Sequence, residues 1–153
     1  MKKQRFSGDI SIKNRKASHE YVFLDTYEVG IVLKGSEIKS IREGKVSLPE
    51  AFCHFSRGEL YIKGMTISPY TEGTYNNHDP LRERKLLMKK GELEKLRKKS
   101  EEKGLTIIPT KLFINNRGLA KVNIALARGK KLYDKRESLR KKEETRQSKD
   151  LQF

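Results

Sequence analysis

Short apolar runs separated by turn-forming residues make up most of this chain, and they predict a fold built largely of β-strands. Tyr21-Val22-Phe23-Leu24 and Tyr27-Glu28-Val29-Gly30-Ile31-Val32-Leu33 are rich in aromatic and β-branched residues, and Gly30 marks a bulge or sharp bend in one long strand. Residues 51–55 and 60–62 predict two strands around Ser56-Arg57-Gly58-Glu59, a hairpin turn by its residue types. Another strand is predicted at 65–67, closed by Ser68-Pro69-Tyr70. The last two, over 105–114 and 119–127, are joined through Asn115-Asn116-Arg117-Gly118. In the second of them Ala120, Val122, Ile124 and Leu126 alternate with Lys121, Asn123, Ala125 and Ala127, so one face is buried and the other only partly.

Two segments read as helices. Ile38 and Ile41 recur three apart among Glu37, Lys39 and Arg42, with Ser36 as N-cap and Gly44 as terminator. Over 90–103 the Glu/Lys/Leu composition and the closing Gly104 predict a second helix, before which Leu86-Leu87 can finish a strand. Residues 71–83, with Gly73, Asn76, Asn77, Asp79 and Pro80, form a loop. Residues 1–12 are polar and read as a flexible arm, and after Gly129 the apolar pattern stops, leaving a charged tail over 130–153. The remaining 13–129 make one domain, mainly β with short helices. The most economical arrangement is an oligonucleotide-binding-type closed antiparallel barrel with a basic C-terminal tail; a sandwich is the other.

Charge then narrows the function. Lys and Arg number 35 against 20 Asp and Glu, a net +15 in 153 residues. Such an excess calls for an anionic partner, and nucleic acid is the common one. No apolar run approaches the roughly 18 residues of a membrane span, and Met1-Lys2-Lys3-Gln4-Arg5-Phe6 lacks the apolar stretch of a signal peptide. A cytoplasmic protein without a membrane partner is expected, acting as a monomer. Cys53 is the only cysteine, so no internal disulfide or cysteine-rich zinc site can form, and its strand setting makes it a small core residue.

Catalytic patterns fail. His19, His54 and His78 are not arranged as His-x-Glu with a later Cys pair, nor at helical spacing, and there is no nucleophile elbow. Lys34-Gly35-Ser36 lacks the spacing of a phosphate-binding loop. The chain is expected to be no enzyme and to need neither cofactor nor metal. Three basic clusters point to binding instead. Asn14, Arg15, Lys16 and His19 precede the first long strand; Arg82, Arg84 and Lys85, with Lys89 and Lys90, form the second; Lys121, Asn123, Arg128, Lys130 and Lys131 form the third. Aromatic residues are dilute, with six Tyr, six Phe and no Trp, which favours shape and backbone reading of a folded RNA over reading of single strands. A general structured-RNA-binding or ribosomal protein satisfies these features too.

The motifs taken together are similar to one family. Asn14-Arg15-Lys16-Ala17-Ser18-His19-Glu20-Tyr21, then residues 28–44, Ile67-Ser68-Pro69-Tyr70, residues 77–87 and residues 127–136 resemble the signatures of small protein B. The resemblance implies an oligonucleotide-binding-type barrel that clasps the tRNA-like domain of transfer-messenger RNA and enters stalled ribosomes with it, for trans-translation. It adds Glu37, with Lys39 and Arg42 near it, to the RNA contacts expected from basic clusters converging on one barrel side: Asn14, Arg15, Lys16, His19, Arg84, Lys85, Lys121, Asn123, Lys130 and Lys131. Glu37 would act by accepting base amino groups or by positioning Lys39 or Arg42. It also implies a tail that touches ribosomal RNA of the decoding centre and mRNA channel through Tyr133, Asp134, Lys135, Arg136, Leu139 and Arg140.

Leu132 and Leu139 are seven apart and Glu137 pairs with Lys141 at i, i+4, so the tail can form a helix with a narrow apolar edge. Alone it has too little to bury to offset nucleation; on the ribosome, phosphate contacts add to its stability. The expectation is therefore a tail disordered when free and helical when docked. Truncation after Ala127 should leave RNA binding largely intact and abolish ribosome rescue, measured as peptide tagging on stalled ribosomes; tagging by the truncated protein would refute this.

Overall fold

The computed structural model describes residues 10–71 and 77–130. Its elements are, in chain order, β1 (Ser11–Lys13), α1 (Arg15–Glu20), β2 (Tyr21–Ile31), α2 (Gly35–Arg42), β3 (Val46–Ser47) and β4 (Phe52–Ser56). They continue with β5 (Glu59–Lys63), β6 (Thr66–Ile67), β7 (Arg84–Leu87), α3 (Lys90–Ser100), β8 (Leu105–Ile114) and β9 (Ala120–Gly129). The main sheet runs β1-β8-β4-β5-β7-β2-β9, and β9 pairs back onto β8, so six strands close into a ring with β1 added at the edge of β8. All pairings in it are antiparallel. β3 and β6 form a separate two-stranded ribbon.

The hairpins follow from their turn residues. Arg57 and Gly58 both take positive φ, 53° and 77°, as a two-residue turn matched to strand twist requires. At the β8–β9 turn the Asn115 Oδ1 accepts from the Arg117 and Leu119 N–H groups at 3.0 and 2.9 Å. Inside the ring, alternate residues of each strand meet: Leu60 and Ile62, Leu86, Leu112 and Ile114, Val122 and Ile124 are all at most 2% exposed. Helix α2 adds Ile41 and α3 adds Leu96, each fully buried. Among the described residues no helix is long and apolar enough to cross a membrane.

The ring has one thin seam. β4 meets β8 by a single residue pair, Cys53 with Ile107. Two residues further on stands Pro109, which offers no N–H to a ladder, and the register of β8 shifts between Pro109 and Lys111. Asn14 fills the gap: its N–H donates to the Thr110 carbonyl at 2.8 Å and its Nδ2 to the Pro109 carbonyl at 2.9 Å. Its Oδ1 accepts from the Ala17 N–H at 3.2 Å, capping α1.

Several expectations are corrected here. The 1–12 arm is ordered from Ile10, whose carbonyl accepts from the Ile114 N–H, and Ser11–Lys13 is β1; residues 1–9 lie outside the described residues. Gly30 is no bulge. The register of β2 shifts between Phe23 and Asp25, and Gly30 instead lets β7 approach, since a Cβ there would stand 3.3 Å from that of Leu87. Helix α1 and strand β3 are not legible as patterns: α1 buries only Ala17, and β3 has two residues. β9 continues to Gly129, paired with Tyr21, so the truncation that leaves the ring whole follows Lys130 rather than Ala127. The tail expected over 130–153 lies outside the described residues from 131 onward.

Helix α2 is tied to the ring by buried charge. Glu37 has no exposed area, and its carboxylate accepts from the Lys34 N–H at 2.7 Å, from Arg82 and from Arg84. Arg84 also has no exposed area; it points inward between the outward Glu83 and Lys85 and donates to the carbonyls of Met65 at 2.8 Å and Pro80 at 3.2 Å. His78, 4% exposed, reaches the Ser36 hydroxyl through Nδ1 and the Ile67 carbonyl through Nε2, both at 2.9 Å. The neutral imidazole meets both partners by donating from Nε2 and accepting at Nδ1.

Burial raises the Glu37 pKa, but the hydrogen bonds from Arg82, the Lys34 N–H and Arg84 outweigh it and hold the carboxyl below its ordinary value. A depressed folded-state value means that the contribution is complete above the unfolded pKa of about 4.3 and is lost as pH falls through the folded one. Glu37→Ala should therefore cost about 3–5 kcal/mol near neutral pH in urea denaturation. The stability gap between wild type and Glu37→Gln should be flat above about pH 5 and close in acid. Gly64, at φ 81°, would place a Cβ 2.5 Å from the Glu50 carbonyl oxygen, whereas Gly58 faces open space. Gly58→Ala should cost the about 1–2 kcal/mol of a left-handed residue, and Gly64→Ala distinctly more, read as urea midpoints.

Candidate nucleic-acid interface

Register brings distant cations onto one wall of the ring. Val122, Ile124, Leu112 and Ile114 point inward, so the residues between them point out. Across four strands the outward rows are Glu28–Asn123–Lys111–Lys13 and Gly30–Lys121–Phe113–Ser11. Directly opposed side chains of neighbouring strands stand about 5 Å apart, so each row is a continuous strip. Arg15, at the exposed start of α1, lies with Lys13, Ser18, Phe23, Thr110, Lys111 and Asn123 around a single cleft. Among the described residues no ion pair engages Lys13, Arg15, Lys111 or Lys121. The Lys111 ammonium sits 5.2 Å from the Phe113 ring centroid, leaving its charge available to an anion.

Next to this wall Lys121 borders an apolar groove with Leu33, Ile38, Leu87 and Leu119; Leu87 and Leu119 are about half exposed, at 51% and 54%. At the other end of β9, His19, Tyr21 and Lys130 line a second cleft, and the Lys130 Nζ donates to the Ser18 carbonyl at 2.8 Å. Cations, a hydrogen-bonding amide and partly exposed rings on one strip suit a polyanion with base or sugar edges.

The other expected contact residues are distributed differently. Asn14, 5% exposed, is the seam residue and N-cap described above, and Glu37 and Arg84, with no exposed area, hold α2. Glu37 and Arg84 are engaged inside the fold, which corrects their assignment as contacts, whereas Asn14, though nearly buried, also borders the cleft around Arg15. Lys16 pairs with Glu50 at 2.9 Å and borders a different cleft from that of Arg15. Lys85 is outward on β7, 3.6 Å from Glu59, on another part of the ring. Lys39 is exposed on α2 with its ammonium 5.4 Å from the Tyr70 centroid, and Arg42 is half-buried in the last turn of that helix. Convergence of all basic clusters on one side is thus not what the fold produces. Lys131, Tyr133, Asp134, Lys135, Arg136, Leu139 and Arg140 lie outside the described residues.

Two wall residues, Lys13 and Lys111, were left out of the clusters: Lys13 stands one residue ahead of the first, and Lys111 is a single lysine in a mostly apolar run. The signal that could have found Lys111 is alternation, since it precedes the inward Leu112 and shares the outward phase of Phe113. Among the described residues no three His, Cys, Asp or Glu side chains are placed to hold a metal ion.

Comparison with known proteins is consistent along almost the whole chain. The model of the SmpB protein family matches residues 11–152. The SsrA-binding protein of Cytophaga hutchinsonii is 60% identical over 139 residues, covering 91% of this chain and 91% of that one. That of Phocaeicola vulgatus is 56% identical, covering 90% and 92%. Among solved structures, a chain of "tmRNA-SmpB: a journey to the center of the bacterial ribosome" superposes with a TM-score of 0.68 at 52% identity, covering 78% of this chain and 84% of that one. The chain therefore belongs to the SmpB family.

Proposed function

We propose that this protein binds the tRNA-like domain of transfer-messenger RNA and delivers it to stalled ribosomes for trans-translation, acting as a binding protein in the cytoplasm and not as an enzyme. The observation that carries the reading is the strip of unpaired cations Lys13, Arg15, Lys111 and Lys121 across β1, α1, β8 and β9. Its relatives' name, SsrA-binding protein, and the tmRNA-SmpB structure support the identity of the RNA. Lys121, Asn123, Arg15, His19 and Lys130 keep their proposed role as contacts, joined by Lys13 and Lys111. Lys39, Arg42, Lys85 and Lys16 engage RNA from other surfaces, and Lys131 with the tail residues meets the ribosome. The six-strand ring reads as an oligonucleotide-binding-type barrel: closed, antiparallel and displaying cations on its outer wall.

The mechanism is mechanical and electrostatic. A wall whose side chains are fixed by the cross-strand register presents cations without the ordering cost that a flexible basic arm would incur. Asn14, Glu37 and Arg84 act on RNA indirectly, by holding the seam beside Arg15 and the helix that carries Lys39. In Lys13→Gln/Arg15→Gln/Lys111→Gln/Lys121→Gln, all outward or exposed positions, the fold should persist by circular dichroism. The slope of log affinity against log salt for the tRNA-like domain, measured in excess unrelated tRNA, should fall by roughly 0.7 to 0.9 for each cation–phosphate pair removed. An unchanged slope rules out this wall, and equal affinity for the competitor rules out the specific RNA.

A further inference from the structure

On the part of the ring away from that wall, the β4–β5 hairpin gathers aromatic rings that the sequence scatters. Cys53, Leu60 and Ile62 point inward, so Phe52 and His54 on β4 and Tyr61 on β5 point out, His54 directly opposite Tyr61 and Phe52 opposite Lys63. The ring centroids of Phe52 and His54 are 6.3 Å apart, and those of His54 and Tyr61 are 6.1 Å apart. Phe52 is 42% exposed although it is large and apolar. Tyr61 also faces Lys85 on β7, so the rings have a cation on each side. At the hairpin tip Arg57 stands exposed at φ 53°, a backbone state that non-glycine residues seldom take.

The charges decide what this face receives. Of its two carboxylates, Glu83 is hydrogen-bonded to the His54 ring and Glu59 lies 3.6 Å from Lys85. Arg57 and Lys63 have no ion-pair partner among the described residues. A row of outward rings, Phe52 exposed and His54 and Tyr61 half-buried, with surplus cations along its margin meets the two needs of a nucleotide chain, a surface for bases and positive charge for phosphates. Duplex RNA keeps its bases stacked on one another and cannot use the rings.

We propose that the outward face of the β4–β5 hairpin is a second RNA site, one that takes a short unpaired stretch of nucleotides by stacking bases on Phe52, His54 and Tyr61, with Arg57, Lys63 and Lys85 at the phosphates. The Glu83 carboxylate holds the His54 ring in the row. The site shares no residue with the cationic wall of Lys13, Arg15, Lys111 and Lys121, so either assignment can fail alone.

The test uses the full chain and a fluorescein-labelled unpaired hexaribonucleotide of adenosine. Phe52→Ala/Tyr61→Ala should weaken hexamer binding tenfold or more, since each stacked base contributes about 1–3 kcal/mol and tenfold is about 1.4 kcal/mol. Tyr61→Phe, which keeps the ring, should stay within about twofold of wild type. Both variants should bind the tRNA-like domain as wild type does, which also shows that they are folded. Hexamer affinity unchanged in the double alanine variant overturns the proposal, as does equal loss in Tyr61→Phe. So does the absence of hexamer binding by wild type, which would leave the face to a protein partner.

Discussion

A carboxylate with no exposed area stays charged only where donors replace the water it has lost, and the sequestered charge of Glu37 is what the arrangement around it answers. One of its donors, the Lys34 N–H, belongs to its own helix start, while the other two come from Arg82 and Arg84 on the far side of a long connection. Arg84 in turn occupies an inward position of β7 where an aliphatic side chain would otherwise sit, and its remaining donors close on the carbonyls of Met65 and Pro80. A buried ion pair of this sort adds little net stability over apolar packing of the same volume, but half of one is severely destabilising. What it provides is a single permitted placement of α2, with His78 fixing the same helix start through Ser36.

Charged residues in this chain thus divide into two populations that composition cannot separate. One is consumed inside the fold, as at Glu37 and Arg84, or by local pairs such as Lys16 with Glu50 and Lys99 with Asp25. The other is left unpaired by the geometry of the strands. The Asp25 carboxyl is held below its usual range chiefly by its hydrogen bond from Lys99, showing how a lysine on α3 is taken out of the binding surface. The net excess of +15 calls for a polyanion, and the register decides which cations stand side by side without an ion-pair partner.

What was legible in the sequence follows the same division. Strands of four or more residues with alternating burial announce themselves, and β4, β5, β8 and β9 lie within a residue or two of expectation because their inward residues are apolar without exception or nearly so. Helix α2 was legible through Ile38 and Ile41 and the glycine that ends it, although it starts at Gly35 with Lys34, not Ser36, as N-cap. Helix α1 was not, because a six-residue helix that buries one alanine leaves no period to detect, and its cap, Asn14, looks like any polar residue in a basic arm. For the same reason nothing in the sequence says that Asn14, Glu37 and Arg84 are buried.

Strand β2 begins its pairing with β9 at Tyr21 and Gly129, residues near opposite ends of the described chain. The ring consequently closes last, after nearly the whole polypeptide exists, and its long-range pairings carry a large loop-closure cost that local hairpins do not. During synthesis the β4–β5 hairpin can form early, but the buried faces of β2 and β8 wait for β9. A copy of this protein cut short before that strand has no closed core and no cationic wall, since Lys121 and Asn123 are missing and Lys111 stands without its neighbour. Incomplete synthesis therefore yields a chain without that wall.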